Sequence, residues 1–286
     1  MNDQRIAVLT DTGTNVPASF AASHDVRQVP LMVNYSDGTY RSELDITTDQ
    51  VIDRFATEIP TTSLPSPDDI RAALEAARAD GYERAVFVTI SSGLSATCGT
   101  VELVASHMEG FPVEVVDTRS IGVAAGMVVM AATRMVEGGV PFERLRERLE
   151  ALSAETRVFF TVRELSYLRH GGRIGEATYR LGSVLNLKPV FYCDAEGKYA
   201  TVRKCRGWEK ALEAELALVQ EHAAKFPKVL CAVCCTKAED RLDSLAESMR
   251  ATIPNVVDVI KSGISPDLIV HTGPSLVGMA VQPVVE

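Results

Sequence analysis

The side chains whose grouping suits chemistry in this sequence are hydroxyls in two polar segments and one distant imidazole. Ser91-Ser-Gly-Leu-Ser95, followed closely by Thr97, sets four hydroxyls around a single glycine, and Pro60-Thr-Thr-Ser-Leu-Pro-Ser-Pro67 is a second hydroxyl-rich stretch stiffened by prolines. Hydroxyls donate hydrogen bonds without adding charge, so several converging on one point hold a carboxylate or a phosphate. Thr62, Ser63, Ser92 and Ser95 are therefore candidate ligand donors, and His271 in His271-Thr-Gly-Pro-Ser275 is the imidazole that could join them. Each has a plainer reading: Ser95 as a helix cap, His271 as a satisfied structural residue at the end of an apolar strand. Asp11 and Thr12 in Thr10-Asp-Thr-Gly-Thr-Asn15 rank second, since turn formers have the same composition.

The elements around these residues explain how they would be positioned. Arg84 to Thr89 is an apolar, β-branched run suited to a strand buried on both faces, and the text turns helical from Ser95, with Val101, Val104 and Ala105 on one stripe. The serine loop thus lies between a strand end and a helix start, where backbone N–H groups lack partners. Ile6 to Leu9 repeats this layout, and loops at strand C-terminal ends are where open α/β sheets bind ligands. Val29 to Val33 reads as one further strand, and Thr47 with Gln50 forms a capping box for a helix ending near Pro60. Ser66 and Pro67 open a helix with Ile70, Ala73, Leu74 and Ala77 inward. Strand Val113–Asp117, a long apolar helix from Ser120 and a helix from Phe142 to Ala154 follow. At Ala154 the pattern changes, and the β-hairpin around Asp194–Gly197 introduces antiparallel strands. The expected architecture is two α/β domains: residues 1–155 with a mainly parallel sheet flanked by helices, and residues 156–286 with a mixed or antiparallel α+β sheet, the ligand site lying between them.

Composition narrows the function. The 286 residues carry a formal charge of −9, which disfavours general affinity for nucleic acid or anionic membranes. No stretch has the apolar length of a membrane span, and Met1-Asn-Asp-Gln-Arg5 lacks the layout of a signal peptide, so a cytoplasmic location without stable membrane insertion is expected. Cys231, Cys234 and Cys235 fall inside the strand Lys228–Thr236, where alternation sends Cys234 to the face opposite the other two; buried thiols rather than metal ligands are expected. No nucleophile elbow occurs. Arg203-Lys-Cys-Arg206 is the most basic cluster of an acidic chain.

Thr62-Ser-Leu-Pro-Ser66, Ser91-Ser-Gly-Leu-Ser95, Leu165-x-x-Leu-x-x-Gly-Gly-Arg-Ile174 and His271-Thr-Gly-Pro274, together with Thr10-Asp-Thr12 and Asp45-Ile-Thr47, resemble the DegV family over essentially the whole chain. The resemblance implies a two-domain protein that buries a long-chain fatty acid with its carboxylate at the domain interface, no other cofactor, and a role like that of the binding subunit of bacterial fatty acid kinase, which presents the acid for acyl-phosphate formation. It implies that Thr62, Ser63, Ser92, Ser95, His271 and Gly273 bind the head group, and that Arg173 and Arg206 stabilise phosphate or dock the kinase. Leu64, Ala96, Cys98 and Ser275 depart from the family pattern, which leaves the shape of the acyl pocket open.

The energetics divide the work. A sixteen-carbon acid buries about 14 methylenes at ~0.8 kcal/mol each, against about 1–3 kcal/mol for a head-group hydrogen bond. Burial would supply affinity, and the hydroxyls orientation. Two rivals stand beside a non-catalytic lipid carrier. One is a lipid esterase or thioesterase with Ser95 as nucleophile and His271 as its base, which requires direct Ser–His contact. The other is a binder of phosphorylated metabolites that uses Arg173 and Arg206.

Overall fold

The computed structural model describes residues 2–184, 187–236 and 239–285. The strands are β1 (Ile6–Asp11), β2 (Val26–Val29), β3 (Met32–Tyr35), β4 (Gly38–Arg41), β5 (Thr61–Ser63), β6 (Arg84–Thr89), β7 (Val113–Asp117), β8 (Arg157–Thr161), β9 (Leu187–Cys193), β10 (Tyr199–Arg206), β11 (Val229–Cys235), β12 (Val256–Ser262) and β13 (Val277–Pro283). The helices are α1 (Ala18–Ser23), α2 (Thr48–Arg54), α3 (Pro67–Ala79), α4 (Thr97–Ala105), α5 (Gly122–Glu137), α6 (Phe142–Glu155), α7 (Ser166–His170), α8 (Glu176–Val184), α9 (Trp208–Ala223), α10 (Glu239–Thr252) and α11 (Pro266–Thr272).

The first half builds the parallel sheet β2-β1-β6-β7. Its central strands are buried on both faces, as their β-branched runs require. Ala7, Leu9 and Phe87 face α3 and α4, while Ile6, Val8, Val86 and Val88 face α5 and α6. From β1 the chain crosses to β2 on one side and the sheet continues to β6 on the other, so the loops after β1 and β6 open a crevice between them.

The second half builds the mixed sheet β10-β9-β8-β13-β11-β12, antiparallel except for the β11–β12 pair. Strand alternation is visible in its cysteines: Cys231 and Cys235 pack under α9 and α10, whereas Cys234 faces the cluster shared with the first half. Burial pushes the Cys231 thiol up to about 12, so it stays protonated. Among the described residues no group of three or more His, Cys, Asp or Glu gathers as metal ligands, and no helix is long and apolar enough to cross a membrane.

Four local expectations change. Val29–Val33 is not one strand: β2 ends at Val29 in the parallel sheet, and β3 begins at Met32 in a separate antiparallel sheet, β4-β3-β5. Pro30 between them has no N–H with which to continue a ladder. The loop Pro60–Pro67 contains β5, which pairs with β3 through Val33 and Thr62. The capping box of Thr47 and Gln50 forms, but α2 stops at Arg54. Leu268–Val270 is helix, not strand, because Ser265 and Pro266 open α11 just as Ser66 and Pro67 open α3.

Candidate functional site

His271 ends α11, a helix from the second half that is clamped into the first. Asn15 Oδ1 accepts from the Ser265 N–H at 2.7 Å, Thr48 Oγ1 donates to the Ile264 carbonyl at 2.6 Å, and Ser42 Oγ donates to Asp267 Oδ1 at 2.5 Å. These bonds fix the helix axis, and one turn beyond Asp267 the imidazole reaches β5. Thr62 Oγ1 and His271 Nε2 lie 2.7 Å apart. Burial, followed by the charges of Arg173 and His170, pushes the imidazole down to about 3, so the pair is neutral at ordinary pH. His271 Nδ1 has no hydrogen-bond partner among the described residues. Gly171 presses against that ring edge so closely that a Cβ there would overlap Nδ1, which accounts for one glycine of the Gly-Gly-Arg-Ile motif.

The pair stands at a cavity of about 310 Å3 between the halves, lined by Leu31, Ile90, Leu94 and Ile121 on one side and Arg173, Tyr199, Leu268 and His271 on the other. Ile121, Tyr199 and Leu268 also line a second void of about 30 Å3, which continues inward to Phe160, Cys234 and Leu276. A polar mouth therefore leads through an apolar neck to an apolar end. Arg173 lines the mouth, its guanidinium donating to the Gly171 carbonyl at 2.5 Å and the Leu94 carbonyl at 3.1 Å. Burial lowers its pKa somewhat from the ordinary value.

The remaining candidates divide. Ser95 lines the cavity, with its Oγ 2.8 Å from Thr97 Oγ1. Ser63 is at the rim and accepts from Asn34 Nδ2 at 3.2 Å. Ser92 points elsewhere: its exposed hydroxyl donates to Asp117 Oδ2 at 2.5 Å. Ser91 is a strut between the halves, donating to the Gly197 carbonyl at 2.8 Å. Gly273 is outside the cavity lining; it caps α11 at φ +69°, where a Cβ would strike the Tyr167 ring. Arg206 ends β10, exposed and outside the cavity lining to which Arg173 belongs. Asp11 is fully buried and ties β1 to β6 by accepting from the Ile90 N–H at 2.9 Å, and Thr12 Oγ1 accepts from the Leu31 N–H at 3.0 Å.

The esterase reading needs a Ser95–His271 bond. The hydroxyl pairs with Thr97 and the imidazole with Thr62, so among the described residues the general-base contact is missing, as is an acid on Nδ1. Two wall residues escaped sequence reasoning. Asp267 lines the mouth, its Oδ1 held by Ser42, and Tyr199 flanks the neck. Recognising Ser265-Pro266 as a helix start would have exposed the first; nothing local marks the second.

A family model described as "Uncharacterised protein, DegV family" matches residues 5–284. A DegV domain-containing protein of Clostridium perfringens is 32% identical over 279 residues, covering 98% of this chain and 99% of its own. Among solved structures, a DegV family protein of Thermus thermophilus, described as fatty acid binding, superposes with a TM-score of 0.90 at 31% identity, covering 98% of this chain and 100% of its own. DegV of Bacillus subtilis, described as a fatty acid binding protein, gives 0.88 at 26% identity, with 98% and 99% covered.

Proposed function

The chain belongs to the DegV family, and from that premise we propose that it binds a long-chain fatty acid and presents the carboxylate to a separate kinase for acyl-phosphate formation. The observation that carries the reading is the neutral Thr62–His271 pair at the head of a cavity that turns apolar within one neck. An acid group entering there meets Thr62, Ser95 and Arg173, and an ionised carboxylate can leave water only for such donors. The chain beyond C1 meets Leu94, Ile121 and Leu268, where each methylene removed from water contributes about 0.8 kcal/mol. Leu64 and Ala96, two departures from the family pattern, are in the lining, so acyl preference is where this copy should differ. Under this reading residues 1–155 and 156–286 are the two units that enclose the acid, and the protein itself does no chemistry.

Organic-solvent extraction of purified protein followed by mass spectrometry should recover a long-chain acid, and stripped protein should take up palmitate or oleate. Absence of both would remove the proposal. For the kinase half of the reading, exposed Arg206 is the docking residue: Arg206→Ala should keep fatty acid affinity while lowering acyl-phosphate formation, and equal loss of both would refute that role.

A further inference from the structure

A second cavity, about 360 Å3, opens between the halves where the loop after β7, the end of α6, the start of β8 and the turn after β9 meet. Its volume falls in the roughly 300–1,000 Å3 range of small-molecule clefts. Its lining is charged, with Asp117, Glu150 and Asp194 against Arg119 and Arg157. The acids are already engaged. Asp117 accepts from the Ser92 N–H, the Ser92 hydroxyl and the Arg119 N–H. Glu150 pairs with Arg146 at 2.8 Å, and Asp194 accepts two N–H groups of its own turn.

Among the described residues the two guanidinium groups are bonded only to carbonyls. Arg119 reaches the Ala195 carbonyl at 3.4 Å, and Arg157 reaches those of Ala154 at 2.5 Å and Thr156 at 2.9 Å. Neither forms an ion pair with a carboxylate among the described residues, and each keeps N–H donors in reserve. Ser120, in the same lining, carries a buried hydroxyl with no hydrogen-bond partner among the described residues. The loop that carries these groups is held firmly. Ser153 Oγ donates to the Thr118 carbonyl at 2.6 Å, and Thr118 Oγ1 donates to the Thr89 carbonyl at 2.8 Å. Arg119 is held at φ +46°, a strained conformation for a residue with a Cβ, which persists where the surroundings over-determine it.

We propose that this rear cavity is a second binding site, for a small phosphate- or carboxylate-bearing metabolite whose anionic group is held by Arg119 and Arg157 and whose apolar body rests on Val158 and Tyr192. A guanidinium fork matches either oxyanion, and neither Arg119 nor Arg157 has a carboxylate bound to it among the described residues. The site shares no donor with the Thr62–His271 mouth, so it stands or falls independently of fatty acid binding.

Calorimetric titration of the full chain with phenyl phosphate and with succinate, at fixed ionic strength, tests it and tells the two sources apart. Saturable binding of at least one probe is expected, weakened about tenfold or more by Arg119→Gln or Arg157→Gln and unchanged by Arg148→Gln, which removes the same charge from an exposed position on α6. Palmitate uptake should be unaffected in all three, which also reports that they fold. No saturation by either probe into the tens of millimolar would overturn the proposal. So would equal weakening by Arg148→Gln, the mark of general charge attraction.

Discussion

Ser120 lines the rear cavity and Ile121, its neighbour, lines the front one. The backbone at Ile121 is extended, at φ −149° and ψ 157°, so consecutive side chains leave on opposite sides of one strip of chain. Val158 likewise borders both the rear cavity and the inner void. The two hollows are thus cut from one junction, yet the front narrows into aliphatic and aromatic side chains while the rear stays broad and ionic. Depth accounts for the contrast. The inner void runs under β8, β13 and α11, away from water, whereas the rear is ringed by loop and strand ends within reach of it.

The contrast breaks most sharply at the neck. Leu268→Trp should fill the constriction shared by the front cavity and the inner void. A tail kept from burying about five methylenes loses about 4 kcal/mol, close to a thousandfold in affinity. Palmitate titration would measure this, with the melting temperature as a check on folding and the rear-site titration expected to hold. Unchanged palmitate affinity would mean that the tail takes another route.

Much of this arrangement was readable in the sequence, for reasons that differ from place to place. The parallel sheet declared itself because Ile6–Leu9 and Arg84–Thr89 are apolar on both faces, and Cys234 was assigned its side of β11 by alternation alone. Thr62 and His271 were joined through family motifs, since 209 positions separate them and no periodicity connects such distant residues. Ser92 and Gly273 shared those motifs, but the structure turns one toward Asp117 and spends the other on the Tyr167 contact. Arg119 and Arg157 carry no motif. They are ordinary surface arginines until the fold shows which acids have been used elsewhere.

A middle-sized effect sets the front pair against the buried tie between β1 and β6. His271 is pushed down to about 3 in the fold, from an ordinary value of 6.5, so the unfolded chain binds the proton more readily. Its contribution to stability is complete above about pH 6.5 and is lost as pH falls toward 3. Asp11 runs the other way: burial, the largest cause, pushes it up to about 7 from 3.8, so its contribution is complete below about pH 4 and is lost as pH rises through 7. Between pH 4 and 6.5 the slopes oppose. His271→Gln should leave the Asp11 slope, so its melting temperature, relative to the parent, falls as pH rises across that window. Asp11→Asn should do the reverse. Roughly 3 kcal/mol each, or several °C, is expected across that window at this chain length. Parallel melting curves for both variants would show that neither group is buried as described.

The smallest effect belongs to Ser120, and its sign is what matters. The residue's backbone carbonyl accepts from the Ser91 N–H at 2.8 Å and its N–H donates to Thr118 Oγ1 at 3.2 Å; both bonds survive Ser120→Ala. Only the buried hydroxyl goes, and a buried hydroxyl without a partner costs stability of roughly 1–3 kcal/mol rather than adding it. With the rear cavity free, the melting temperature should therefore hold or rise by about 2 °C. With phenyl phosphate or succinate bound, the same change removes a donor, and affinity should fall a few-fold while palmitate binding stays as it was. A drop of several degrees in the free protein would show that Ser120 already has a partner, and the rear site would then rest on its two arginines alone.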